Sequence, residues 1–489
     1  MACARSASQP TPTRRSFFER VGAGMTGIAL GSLLNDDFDR VFASESLVRP
    51  VPTDLRARAP HAPARAKSVI HLFMNGGPSQ MDLFDPKPAL ADRHGEPYFD
   101  KIAGEVENPH EAGALMRSPF GFAQHGECGM WVSELLPHLA RCVDKIALIR
   151  SLHTVNITHE PAIYKIQNGR MLPGYPSMGA WITYGLGSEN QNLPAYVVLD
   201  DPKGLPVNGT QNWQAGFLPP VFQGTRFRSV GAPVLNLDRQ FDEPGEITEL
   251  ERSLVAQLDD VHRSQRPWQP RLDARIASYE LAARMQLAAS DALDLSTESE
   301  ATLASYGIGQ EPTDSYGRRC LMARRLVERG VRFVQLFIDG QIWDNHSNIA
   351  SELKSACQRT DLPIAGLLDD LDQRGLLDET LVLWGGEMGR LPIAQLLPGK
   401  NEQQAGRDHN KLAMCGWLAG GGARRGLTYG ATDELGFAAV EDRVSVADWH
   451  ATVLHLLGLD FHKLTYRRNG FDEKLTGVDE AQVVAGLLG

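Results

Sequence analysis

The stretch Leu381–Asn410, LVLWGGEMGRLPIAQLLPGKNEQQAGRDHN, is the one whose reading decides the fold. An apolar run from Thr380 to Trp384 stops at Gly385-Gly386. A short apolar run without alternation, closed by glycines, is the pattern of a strand buried on both faces, as in parallel sheets. Glu387 stands where that strand ends, on the edge where open α/β sheets bind their ligands. A polar loop follows, and Arg407-Asp408-His409 leads into a second apolar run, Leu412 to Leu418. A carboxylate after one strand and an Asp-His pair before the next can meet in one cleft. Carboxylate plus imidazole is the donor set of a hydrolytic zinc or manganese site. The same residues would also suit a solvated loop, so the rest of the chain has to decide.

Working outward, the same grammar recurs. Ser68 to Met74 is an apolar strand closed by Asn75-Gly76-Gly77-Pro78-Ser79, with Asp82 and Asp85 just beyond. Lys145 to Arg150 is a short strand followed by His153, Thr158, His159 and Glu160, and Pro161 suits the first turn of a helix. A helix from Pro176 to Gly185 contains Ser177 near its start, and Pro194 to Leu199 returns as a strand. Val331 to Ile338 is another strand, with Asp339, Asp344 and His346 after it. Helices are expected over Glu134–Ala140, Tyr316–Arg329, Ala350–Gly375 and Val446–Gly458. A helical insertion spans about 244–300, interrupted near Pro267 and Pro270. Strands alternating with helices predict a doubly wound α/β fold, with a mostly parallel central sheet flanked by helices.

The 489 residues, 42% hydrophobic and 22% charged, allow a large core. A net charge of −11 with no basic stretch to offset it argues against nucleic acid as the main partner. The 6 cysteines show no zinc-type spacing. Thr13-Arg14-Arg15-Ser16-Phe17-Phe18, followed by a mild apolar region from Val21 to Leu34, reads as a twin-arginine export leader over residues 1–43. It implies a periplasmic or extracellular protein that folds before export. Residues 44–66, rich in Pro, Ala and Arg, read as a flexible linker, and 67–489 as one domain. Beyond the leader, no run is long enough to span a bilayer.

Four strand ends therefore carry imidazole or carboxylate: Asp82 and Asp85; His153, His159 and Glu160; Asp344 and His346; Glu387 with Asp408 and His409. Taken singly, each has a structural explanation, such as a capping loop or a satisfied core histidine. Random scatter would place some at the opposite edge, so their coincidence points to one polar or metal site. A divalent ion (zinc, manganese or calcium) held by such a set polarises a phosphoryl, sulfuryl or carboxyl oxygen. Thr158 and Ser177 are the candidate hydroxyl nucleophiles, with His159 as nucleophile or acid/base. Neither hydroxyl lies in Gly-x-Ser-x-Gly, and there is no Walker A motif or dinucleotide fingerprint. Arg390 and Arg407 are suited to hold an anionic group bidentately.

Several ordered motifs carry a resemblance. They are LFMNGGPSQMDLFDPKP after the first strand, His159-Glu-Pro-Ala, PSMGAWITYGLG, WDNHSN, Gly-Glu-Met-Gly-Arg and Gly-Arg-Asp-His. With the leader, they resemble the exported bacterial proteins of domain-of-unknown-function family 1501, common in planctomycetes, over about Ser68 to Gly489. That family is assigned to the alkaline phosphatase/sulfatase-like superfamily. The resemblance implies a hydrolase of phosphate or sulfate esters, on small-molecule or polysaccharide substrates, with one or two metals. It casts Asp344, His346, Glu387, Asp408 and His409 as metal ligands, with Asp82 as a further one, and Asn75 as a substrate-side group. Three features depart from the superfamily pattern. Asn75 replaces the usual metal-binding Asp after the first strand, the Cys-x-Pro-x-Arg sulfatase signature is missing around His159, and Met388 follows Glu387 where His or Asn is usual. A non-catalytic exported binding or scaffold protein on the same fold is the alternative, and a membrane-anchored protein with an uncleaved leader a third.

Overall fold

The structure, a computed structural model, describes residues 52–229, 245–266 and 269–489. The expected export leader and residues 44–51 of the expected linker lie outside the described residues, as do 230–244 and 267–268. At the centre is β1 (Ser68–Phe73), whose Val69, Ile70 and Leu72 are fully buried. The other strands of its sheet are β2 (Ile146–His153), β3 (Tyr196–Leu199), β4 (Thr225–Phe227), β5 (Phe333–Leu336), β6 (Thr380–Gly385), β7 (Met414–Ala419), β8 (Leu427–Tyr429) and β9 (Val444–Ser445). Their order is β8-β2-β7-β6-β1-β5-β3-β4, with β9 also beside β2. Only β7 runs against the others, antiparallel to both β6 and β2. The mixed, mostly parallel sheet expected from the apolar runs is therefore present.

Helices flank the sheet: α1 (His159–Asn168), α2 (Met178–Leu186), α3 (Gly245–Ser264), α4 (Pro270–Leu293), α5 (Asp314–Glu328), α6 (Ile349–Gln373) and α7 (Val446–Leu456). Local chemistry sets their ends. Ser445 and Asp448 form a reciprocal capping box at the start of α7, and α1 stops at Gly169 in the left-handed region (φ 76°). The helical insertion resolves into α3 and α4, on either side of the Pro267 and Pro270 region.

Two findings differ from the sequence reading. Residues 53–66 are bound to the domain: Ala62 N donates to Gly458 O, Arg65 N and Ala66 N both donate to Leu456 O, and Leu55 and Ala66 are buried. Their apolar positions and backbone donors find partners that composition alone does not announce. The segment from Glu134 to Ala140, expected to be helical, forms turns after a strand that ends at Ser133 and runs into a 3-10 helix over Leu139–Lys145.

A large apolar core surrounds the sheet, and a small second core joins Met81, Leu90, Ile102, Leu115, Leu391 and Ile393. This second cluster anchors the segment between β1 and β2 against the polar loop after β6. A two-stranded antiparallel ribbon, Ala112–Leu115 with Ile393–Gln395, completes that junction. No helix among the described residues is long and apolar enough to cross a membrane.

Candidate metal centre

The parallel strands deliver their following loops to one edge, and the reversed β7 brings its preceding residue there as well. His159 opens α1 after β2, Asp344 and His346 lie in the loop after β5, and His409 precedes β7. One donor atom from each of His159, Asp344, His346 and His409 lies within 4.8 Å of the others. The turn after β1 makes room for them. Gly76 (φ +108°) and Gly77 (φ +77°) adopt backbone conformations that glycine tolerates. A Cβ at Gly76 would sit 2.6 Å from Asp344 N, and one at Gly77 would sit 2.8 Å from Met388 O. No side chain fits there, so the two glycines of the first strand-end motif are what let three loops converge.

The three imidazoles share one arrangement. His159 Nδ1 lies 2.7 Å from Glu387 Oε1, and His346 Nδ1 lies 2.5 Å from Gln395 Oε1. His409 Nδ1 lies 2.6 Å from Glu107 Oε2, as an ion-pair contact that does not meet hydrogen-bond geometry. Each ring thus has an acceptor against Nδ1 and turns Nε2 toward the Asp344 carboxylate. The Nε2 separations from Asp344 oxygens are 3.3 Å for His159, 2.8 Å for His346 and 3.1 Å for His409. Ring centroids stand 4.4 Å apart for His159 and His409, and 4.6 Å for His346 and His409. Proton-donating Nδ1 with Nε2 facing a common point is the geometry by which acceptors behind the ring orient metal-ligating histidines.

The electrostatics point the same way. Burial would raise the Asp344 carboxyl, but Arg390 and the hydrogen bonds of His159, His346 and His409 hold it well below the usual carboxylate range. Burial alone would lower His159, yet Asp344 and Glu387 outweigh it and push the imidazole up to about 9. His346 is raised against burial by Asp344 in the same manner. Asp344 pairs with the Arg390 guanidinium, while the carboxylates of Glu387 and Glu107 stand against the His159 and His409 imidazoles. An environment that draws protons onto imidazoles this strongly also favours a dication in their place. His159 Nε2 is buried, and its contact with Asp344 at 3.3 Å falls short of good hydrogen-bond geometry, so a ligated ion would satisfy it better. Three imidazoles and one carboxylate at this spacing fit a four-coordinate zinc-type ion.

Other residues singled out by the sequence occupy different places. Glu387, fully buried, is not in the four-donor group; its Oε1 accepts from Gly76 N at 2.9 Å and holds His159 from behind. Asp82 and Arg407 pair with each other: Arg407 Nε and Nη2 donate to the two Asp82 oxygens at 2.7 and 3.2 Å, and neither side chain is exposed. Arg407 also donates to Leu391 O and Met116 O, so each of its three nitrogens is committed within the protein. Arg390 likewise spends its nitrogens on Gly76 O, Gly77 O, Trp343 O, Arg407 O and Asp344. Both arginines are internal struts, which corrects their reading as anion clamps, and Asp82 is Arg407's counter-ion.

Asp408 Oδ2 accepts from Glu107 N at 3.0 Å and Asn108 N at 3.3 Å, while Oδ1 accepts from His409 N. It also falls in a looser three-residue group with Glu107 and His409. Asn75 joins the ends of β1 and β5 through Nδ2 bonds to Ile338 O and Gly340 O, leaving a buried Oδ1 without a partner among the described residues. Ser177 is the buried cap of α2, accepting from Ala180 N, and makes no bond to the imidazole cluster. Thr158 is exposed immediately before His159, with no side-chain capping bond. His450 is a core residue whose Nε2 meets Ile166 O at 2.8 Å. Sequence reasoning missed Glu107, Glu111 and Gln395. They lie in polar stretches away from the ends of the sheet strands, and only the ribbon brings them to the site.

Comparisons with known proteins complete the description. No curated protein matches the chain. Similar solved structures include a lipoteichoic acid synthase from Listeria monocytogenes, at 10% identity and TM-score 0.36, covering 87% of this chain and 79% of that one. A sulfatase from Pseudoalteromonas sp. has 12% identity, TM-score 0.34, and coverage of 82% and 68%. An alkaline phosphatase from the Antarctic bacterium TAB5 has 12% identity, TM-score 0.27, and coverage of 76% and 94%. The family described as a protein of unknown function (DUF1501) matches residues 66–488, and the chain belongs to that family.

Proposed function

We propose that this protein is a metal-dependent hydrolase of phosphate or sulfate esters, with one divalent ion held by His159, Asp344, His346 and His409. The observation that carries the proposal is the convergence of these four donors within 4.8 Å, from separate loops at one sheet edge. The ester class rests on the resemblance to the alkaline phosphatase/sulfatase-like superfamily. When bound, the ion would polarise the ester oxygen and bring a bound water to a pKa of roughly 7. The chain's own groups do the rest. Glu387, Gln395 and Glu107 fix the ring orientations, and Arg390 offsets part of the pocket's negative charge.

Because Arg390 and Arg407 are committed internally, this scheme assigns anion binding to the N-terminus of α1, where the helix dipole favours negative charge. Thr158, exposed at that terminus, is the attacking hydroxyl in this scheme. The test combines zinc loading with hydrolysis of a phosphate and a sulfate monoester. Activity that follows zinc occupancy and falls in Thr158→Val, with metal content retained, supports the proposal. Zinc-loaded protein inert toward both esters favours the second reading, a non-catalytic exported binder, for which the two committed arginines already speak. Export through the twin-arginine route is part of the same proposal and is checked by N-terminal sequencing of the mature protein.

A further inference from the structure

The polar segment Glu107–Glu111 reaches two of the three imidazoles by independent routes. Glu107 Oε2 stands 2.6 Å from His409 Nδ1. Glu111 Oε2 accepts from Gln395 Nε2 at 2.7 Å, and Gln395 Oε1 faces His346 Nδ1 at 2.5 Å. An ionised carboxylate can only accept, so Glu111 forces the Gln395 amide nitrogen toward itself and the amide oxygen toward the ring. That orientation obliges His346 Nδ1 to carry the proton, which leaves Nε2 to face Asp344. His159 is held from elsewhere, by Glu387 at the end of β6.

The segment is itself fixed at both ends. Asp408 Oδ2 accepts from Glu107 N and Asn108 N at its start. Leu396 N donates to Glu111 O at 2.8 Å at its end, where the ribbon of Ala112–Leu115 with Ile393–Gln395 begins. Val106 and Ile102 are buried in the small core with Leu115, Leu391 and Ile393.

We infer that Glu107 and Glu111 are positioning residues of the metal centre, through which this one segment sets the affinity of the site for its ion. The inference rests on the metal centre proposed above. Asp408 then acts on the ion through the segment that it anchors. Orienting partners of this kind typically change metal affinity by about 10–100-fold.

The test is a competition titration of the metal-free protein with zinc(II) against a chromophoric chelator, alongside its melting temperature. Glu107→Leu and Glu111→Leu are each expected to weaken zinc binding by about 10–100-fold. Gln395→Leu breaks the same relay from its other end and serves if a glutamate variant fails to fold. Equal zinc affinity in all folded variants overturns the inference while leaving the metal centre intact. A variant that melts early but binds zinc normally marks the segment as merely structural, which also overturns it. Wild-type protein that takes up no zinc overturns both the inference and the reading beneath it.

Discussion

Replacing Asp82 by asparagine separates structural carboxylates from those of the proposed metal centre. Asp82 and Arg407 are both without solvent exposure, and the guanidinium meets both carboxylate oxygens. Asparagine preserves the shape and one acceptor oxygen but leaves a buried cation without its counter-charge. Removing one partner of such a pair costs about 3–5 kcal/mol. An unfolding entropy of roughly 2.1 cal/mol/K per residue gives about 0.9 kcal/mol/K over the unit Thr53–Gly489. The melting temperature should therefore fall by about 3–5 °C. Differential scanning calorimetry on metal-free protein reads that shift, and zinc content measured in parallel should be unchanged. Asp82→Leu combined with Arg407→Met should recover much of the loss, because no unpaired charge remains. An Asp82→Asn variant that melts like wild type, or that loses zinc while staying folded, would refute the reasoning.

Two further outcomes follow from the same structure. Burial lowers the His450 imidazole to about 4 and His71 to about 3, from the ordinary value of 6.5. The unfolded chain therefore binds more protons below that value, and stability contributed by these residues is present above pH 6.5 and lost as pH falls toward 4. For His450 the loss is on the order of 3 kcal/mol by pH 4. His450→Gln, which keeps a donor for Ile166 O, should flatten the acid limb of a stability-versus-pH curve by about that amount; parallel curves would contradict this. Gly76→Ala combines a left-handed φ with a Cβ 2.6 Å from Asp344 N, whereas Gly95→Ala shares the positive φ with nothing within 4 Å. The Gly95 variant should lose only about 1–2 kcal/mol, and the Gly76 variant distinctly more, together with zinc affinity. Equal losses by denaturant titration would remove the steric argument.

The central strands were legible because β1, β5 and β6 are buried on both faces and therefore read as mostly apolar runs, interrupted only by His71 and Gln335 in their interiors. The edge strands β4, β8 and β9 span two or three residues and give no such signal. The strand-end rule picked out the residues that the structure brings together at one edge but could not assign their places. Glu387 and Asp344 are both carboxylates after parallel strands, yet one faces the shared point and the other stands behind His159. Asp82 and Arg407 have the residue types of a site and instead neutralise each other in the interior. That distinction depends on which partner each side chain meets across more than 300 residues of sequence. Glu107, Glu111 and Gln395 were invisible for the complementary reason. They adjoin no strand of the main sheet, and their contacts arise from a ribbon pairing that no local pattern encodes.

The most direct test of the central claim is elemental analysis of protein purified without chelator and then equilibrated with zinc(II), beside His409→Ala and Asp344→Ala. The account predicts about one zinc per wild-type chain, the number a single four-ligand site accepts, and its loss from both folded variants. Folded wild-type protein without zinc, or variants that retain it in full, would contradict the assignment of His159, Asp344, His346 and His409 as a metal centre.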